Sequence, residues 1–184
     1  IVDTVEVNYN GSLSADQFPM VPAKDCYRGE WDSDGLTAVT DNVTVTAVYT
    51  RITEDVTATA DANALTKTIT VTSEGGSGEY QYIIIPVLEE GDGLSLEALA
   101  ALSDWTDGEA EYTFTNRASS WYQIGIRDAK DPANIISIMV RMYDAVTFDA
   151  TPDYPAQTLL VNAQGGSGAY EFLRVAYNEA AGMK

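Results

Sequence analysis

From Val56 onward, apolar and polar residues alternate with a period of two. The runs "VTATAD" (56–61), "KTITVTSE" (67–74), "YQYIIIPV" (80–87), "AEYTFTN" (110–116), "WYQIGIRD" (121–128) and "IISIMVRMYD" (135–144) are separated by Gly, Asp, Asn or Pro. Successive side chains of a strand point to opposite faces, so this alternation predicts half-buried strands, and their number and spacing predict an all-β sandwich of immunoglobulin-like size. One stretch breaks the period. In "SLEALAALSDW", Ser95 to Trp105, the residues Leu96, Leu99, Ala100 and Leu102 fall on roughly one side of a helix and Ser95 suits its N-cap, which predicts a short helix inserted in the sandwich. Before residue 54 the alternation is patchier. "TVEVNY" (4–9) and "NVTVTAVYTRI" (42–52) predict strands, the second with Val43, Val45, Ala47 and Tyr49 on one face; between them lie a turn-like "NGSLS" and a Pro-punctuated stretch to Cys26.

The pattern then repeats. "VTATADANALTKTITVTSEGGSGEYQYIII" and "VTFDATPDYPAQTLLVNAQGGSGAYEFLRV" align without a gap: Val56 meets Val146, Gly75 meets Gly165 and Tyr80 meets Tyr170, an offset of 146 − 56 = 90 throughout. A fixed period marks tandem modules. The "GGSG" in each copy supplies backbone freedom for a tight connection, read here as a hairpin turn, and the Tyr two residues after its last glycine restarts the core face. A phosphate-cradling loop needs a helix N-terminus and usually a Lys at this place, whereas a strand without Lys follows. The expected organisation is a small module over 1–53, a complete sandwich over 54–145, and the first half of a second copy over 146–184. That half is expected to be cut short or completed by another segment of the chain or by a neighbour, because half a sandwich has open edges and little core.

Composition narrows the chemistry. With 28 acidic against 10 basic residues the net charge is −18, which opposes sequence-independent binding to nucleic acid or anionic lipid. The absence of histidine excludes Ser-His-Asp and Cys-His devices and a conventional His/Cys zinc site. Cys26 is the only cysteine and cannot form an internal disulfide. No run approaches the roughly 18 apolar residues of a membrane helix. The opening "IVDTVEVNYN" lacks an initiator Met and a signal segment, as expected of a piece of a longer protein.

The candidate ligand contacts are Trp105, Asp104 and Asp107 in "SDWTDGE", where an indole stacks on a sugar face and carboxylates bond its hydroxyls. Trp31 and Trp121 are expected to pack in the fold. "WDSDG" (31–35) carries too few ligands for a calcium loop and is read as a capped acidic turn. Glycoside hydrolysis needs two carboxyl groups facing each other across a cleft, which small sandwiches do not naturally provide, so no catalytic, cofactor or metal residues are assigned. Lys67 is expected to face solvent from a strand; its counterpart is Gln157, so a lysine crosslink is no property of the repeat.

The segment "VPAKDCYRGEWDSDGLTAVTDNVTVTAVYT", Val21 to Thr50, resembles the Listeria–Bacteroides, or internalin-type B, repeat of bacterial surface proteins. Pro22, Lys24, Tyr27, Trp31 and the run Val43 to Tyr49 match that repeat in order; Cys26 stands where it usually has Gly, and the segment between Tyr27 and Trp31 is about one residue shorter. Residues 55–184 resemble, more loosely, the immunoglobulin-like "GGSG-x-Y-x-Y/F" repeats of such proteins. The resemblance implies a β-grasp-like first module, an extracellular place on a bacterial surface or wall, and work as a non-catalytic stalk, spacer or adhesive segment. Its partners would be neighbouring modules and a host or environmental glycan or protein. The alternative is a carbohydrate-binding module using exposed aromatics.

Overall fold

The computed structural model describes residues 3–173. Residues 174–184 of the expected second copy, with Ile1 and Val2, lie outside them. The fold is all-β with one short helix, as the alternation predicts. Its strands are β1 (Gly11–Ser14), β2 (Tyr27–Trp31), β3 (Gly35–Val39), β4 (Ala47–Arg51), β5 (Thr57–Asn63), β6 (Thr68–Glu74), β7 (Tyr80–Val87), β8 (Thr106–Gly108), β9 (Glu111–Phe114), β10 (Ser120–Asp128), β11 (Ile135–Met142), β12 (Thr147–Asp153) and β13 (Thr158–Gln164). The helix α1 is Leu96–Ala100, capped by Ser95, whose side chain accepts from the Ala98 amide at 3.2 Å. It is shorter than the pattern predicts. Leu99 alone of its apolar residues is fully buried, while Leu96 and the following Leu102 are exposed.

Two sheets enclose the main core. One has the order β5-β6-β9 and the other β11-β10-β7-β8, all antiparallel. Val56, Ile69, Val71 and Phe114 from the first meet Tyr80, Tyr82, Ile124, Ile126 and Met142 from the second. The period of two is thereby fulfilled: in β10, Tyr122, Ile124 and Ile126 point inward, and Gln123 and Gly125 face the opposite side. The fully buried Tyr82 keeps its hydroxyl satisfied by donating to the Glu109 carbonyl at 2.7 Å, with the Ser73 hydroxyl bonded to the same oxygen at 3.0 Å, and its ring stacks on Tyr112 at 4.8 Å.

The "GGSG" turn is not a hairpin. β6 pairs with β5 and β9 and β7 with β10 and β8, so residues 75–78 carry the chain from one sheet to the other. A sequence pattern gives faces but not partners, and a sandwich crossing has the same turn residues as a hairpin. Gly75, Gly76 and Gly78 hold φ of 82°, 60° and 83°, and Gly165, Gly166 and Gly168 hold 83°, 60° and 85°. The hydroxyl of Tyr80 donates to the Gly75 carbonyl at 2.8 Å and that of Tyr170 to Gly165 at 2.5 Å. The β12–β13 ladder repeats the β5–β6 ladder pair for pair, Thr57 opposite Glu74 and Thr147 opposite Gln164. Lys67 and Gln157 also correspond, at φ 55° and 51°; Lys67 is exposed, but in a turn and not in a strand. What differs is burial. Val56 and Ile69 are 1% and 0% exposed, their counterparts Val146 and Leu159 57% and 58%.

Residues 3–53 form two separate two-stranded pairs, β1 with β3 and β2 with β4. The expected strand over Thr4–Tyr9 does not form; the strand starts instead at Gly11, inside the stretch read as a turn, after Asn10 takes φ 62°. The other expected strand shrinks to Ala47–Arg51, and the Thr46 amide bonds to the Asp32 carboxylate at 2.9 Å. Alternation alone forms no strand without a partner, and Leu13 is the single buried apolar side chain among the described residues of this segment. Cys26 has φ 66°, the left-handed conformation that favours Gly. Trp31 packs as expected, edge-on to Phe18 with its indole N–H on the Pro19 carbonyl at 2.8 Å.

The crossing turn yields a graded prediction. A Cβ at Gly76 would lie 2.6 Å from Asp128 Oδ2, whereas one at Gly78, also at positive φ, meets nothing within 4 Å. Gly78→Ala is expected to lose about 1 kcal/mol from backbone strain alone and Gly76→Ala at least about 2 kcal/mol. Equal midpoint losses in urea would refute the packing argument.

Candidate functional site

The sequence candidates sit on the outer side of the four-stranded sheet. Trp105 lies just before β8, and its ring is half-buried against β10. A Cβ on Gly125 would come within 2.9 Å of the indole, so glycine at that strand position makes room for the ring. The guanidinium of Arg127 lies over the ring, 4.2 Å from its centroid. Arg127 Nε donates to Gln81 Oε1 at 2.8 Å, and Gln81 Nε2 donates to Asp107 Oδ1 at 2.7 Å. Trp105 and Asp107 therefore belong to one polar chain, with Arg127 and Gln81 as links. Asp104 is not part of that chain; its recorded bond is from the neighbouring Ser103 hydroxyl at 3.0 Å. The indole N–H of Trp105 is buried without a hydrogen-bond partner.

This geometry is a poor stacking platform for a sugar, because the guanidinium occupies one ring face and the backbone of β10 lies against the ring edge. Asp107 instead opens on a shallow groove of about 750 Å³, where Gln81, Glu109, Glu111 and Tyr112 also contribute. Tyr112 has one face taken by Tyr82. The groove is broad and acidic, and among the described residues no group of three or more His, Cys, Asp or Glu is arranged to hold a metal ion. Gly125 was the available sequence signal that Trp105 is packed, since glycine inside a strand marks close approach by a neighbour.

The polar constellation that the sequence did not single out lies in the β10–β11 connection, Asp128 to Asn134. Asp128 is fully buried. Its carboxylate accepts from the Ser77 amide at 2.5 Å, the Ser77 hydroxyl at 2.6 Å, the Lys130 amide at 2.8 Å and the Asp131 amide at 3.2 Å. Burial pushes its pKa up, but the donors from Ser77, Lys130 and Asp131 together outweigh it and hold the group below the ordinary carboxylate value. Asn134, also buried, reaches the incoming linker: its Oδ1 accepts from the Val56 amide at 2.9 Å and its Nδ2 donates to the Glu54 carbonyl at 2.9 Å. Asp131, 6% exposed, accepts from the Tyr27 hydroxyl at 3.0 Å. This hydrogen bond, ahead of burial, raises the pKa of Tyr27. One seven-residue loop thus touches the turn, the linker and the N-terminal segment. Comparison with protein-family models, with curated proteins and with solved structures finds no match to this chain.

A depressed pKa fixes the direction of the pH dependence. The folded value of Asp128 lies below the unfolded value of about 3.9, so its contribution is fully present above that pH and is lost as pH falls through the lower folded value. Asp128→Asn is expected to be less stable than the parent at pH 7, by roughly 2 kcal/mol, and the gap is expected to narrow as pH falls below the ordinary carboxylate value. Urea titrations across this range check it; a gap constant with pH rejects the ionised role.

Proposed function

We propose that the chain is a non-catalytic spacer, with the capacity to carry adhesive modules, in a bacterial cell-surface protein. The observation that carries this reading is the way the two copies meet. The Gly76 amide donates to the Glu54 carbonyl at 3.1 Å where the first sandwich begins, and the Gly166 amide donates to the Asp144 carbonyl at 2.8 Å one period later. The first junction lies beside Val56, ahead of β5. The second shares a surface depression with Asn63, the last residue of β5, and Leu65 just beyond it. The two junctions are therefore separated by the length of a seven-residue strand, about 20 Å, at opposite ends of the sandwich. Modules linked at opposite ends add length to an assembly, which is the geometry a stalk needs. The net charge of −18 keeps such segments apart in solution. The resemblance of Val21 to Thr50 to repeats of bacterial surface proteins supports an extracellular setting.

The second reading, a carbohydrate-binding module, draws on the groove beside Asp107 and Tyr112 and not on Trp105 as an open platform. A glycan array separates the two. The spacer reading expects no saturable binding; binding abolished by Asp107→Ala or Tyr112→Ala and retained in Asp104→Ala establishes the groove as a sugar site and removes the spacer reading as the main function.

A further inference from the structure

We infer that the loop Asp128–Asn134 is a mechanical latch, which fastens the incoming linker to the start of β11 so that tension between successive modules is borne across the sandwich in shear. The inference rests on the spacer reading for its biological use, and its geometry stands by itself. Tension arriving from the N-terminal side enters at Glu54 to Val56, the residues that Asn134 holds through both its amide atoms. Tension leaving toward β12 departs from Met142 to Asp144, the far end of β11. β5 and β11 lie side by side. Both begin at the latch, because Val56 precedes β5 and Asn134 precedes β11. Both end near the second junction, β5 at Asn63 and β11 at Met142, where Asn63 and Tyr143 line the same depression. The two strands therefore run parallel, and load pulls the start of one against the end of the other. Contacts along the pair must then yield together and not one after another.

The latch adds the hydrogen bonds that this pairing otherwise lacks, since β5 and β11 belong to different sheets. It is stiff for a reason internal to the loop. The Asp128 carboxylate ties Lys130 and Asp131 to Ser77, and the Asp128 amide donates to the Asn134 carbonyl at 3.0 Å, so Asn134 is positioned by a buried anion and not by a free loop. Tyr27 bonded to Asp131 extends the same connection to the N-terminal segment. Asn is suited to this position because one side chain must donate and accept at once across the linker backbone, which neither Asp nor Ala does.

The test is unfolding of the whole chain under constant force, with the tethers at its two ends, alongside urea denaturation. Asn134→Ala is expected to unfold roughly tenfold faster under load, the effect of losing two buried hydrogen bonds in the load path. Asn134→Ser, which is neutral and keeps a hydroxyl on the linker side, is expected to fall between, and it serves if the Ala variant does not fold. Ile124→Val is the control: it trims the buried core and lowers the urea midpoint but touches neither the loop nor the linker, so its acceleration under load should be clearly smaller than that of Asn134→Ala. Unchanged unfolding of the Asn134 variants under load, or equal acceleration by Ile124→Val, overturns the latch. Neither result touches the spacer reading, which fails only on the glycan array.

Discussion

Asp128 carries a negative charge into a site with no solvent exposure, and the fold around it is arranged to make that charge tolerable. An uncompensated buried carboxylate costs several kcal/mol, and here compensation comes from N–H and O–H donors and not from a cation. Lys130 contributes its backbone amide, while its ammonium pairs with Glu79 at the surface. Meeting the charge in this way constrains everything nearby. Ser77 must present both its donors, so Gly76 must stay bare and at positive φ beside the carboxylate. The carboxylate thereby fastens the crossing turn, whose glycine angles recur at Gly165, Gly166 and Gly168 without it, to the β10–β11 connection. An apolar residue at 128 would leave four donors unmet.

The same loop explains how a poorly buried N-terminal segment takes a defined place. With Leu13 its single buried apolar residue among those described, residues 3–53 have little hydrophobic free energy with which to dock. Directional polar contacts do that work instead: Tyr27 to Asp131, and the linker backbone to Asn134. Lys24 lies 3.6 Å over the Tyr27 ring, which holds the phenol side of the contact in place. Surface ion pairs such as Arg28 with Glu30 add little. The polar loop is thus to the junction what the Tyr82 and Ile124 layer is to the sandwich, with specificity in place of bulk burial.

Local order was legible in the sequence wherever one element determined it. Six of the seven strands of the sandwich and the Ser95 cap follow from patterns within a short window, and the offset of 90 from direct alignment; the edge strand β8, three residues inside the stretch read as ligand contacts, carries no alternation to betray it. Partnering was not legible. Alternation in Thr4–Tyr9 is as good as in β4, but it has no ladder to join, and the strand forms over Gly11–Ser14, where Leu13 finds burial. The crossing turn reads as a hairpin because the same glycines serve both. Trp105 reads as exposed because its cover, Arg127, and its seat, Gly125, lie about twenty residues away in sequence. Asp128 and Asn134, in an ordinary-looking "DAKDPAN", take their meaning only from what the fold brings to them.

The two copies divide the problem of folding into its parts. Ladder register, the three glycine angles, the Tyr-to-Gly hydrogen bond and the amide bond to the preceding linker all recur at the offset of 90, although the core that covers Val56 and Ile69 does not recur over Val146 and Leu159. These shared features all lie close together in sequence, so the hairpin and turn chemistry common to the two copies accounts for their likeness. Burial is the separate, nonlocal contribution, and it turns a correctly shaped hairpin into a stable layer of a sandwich.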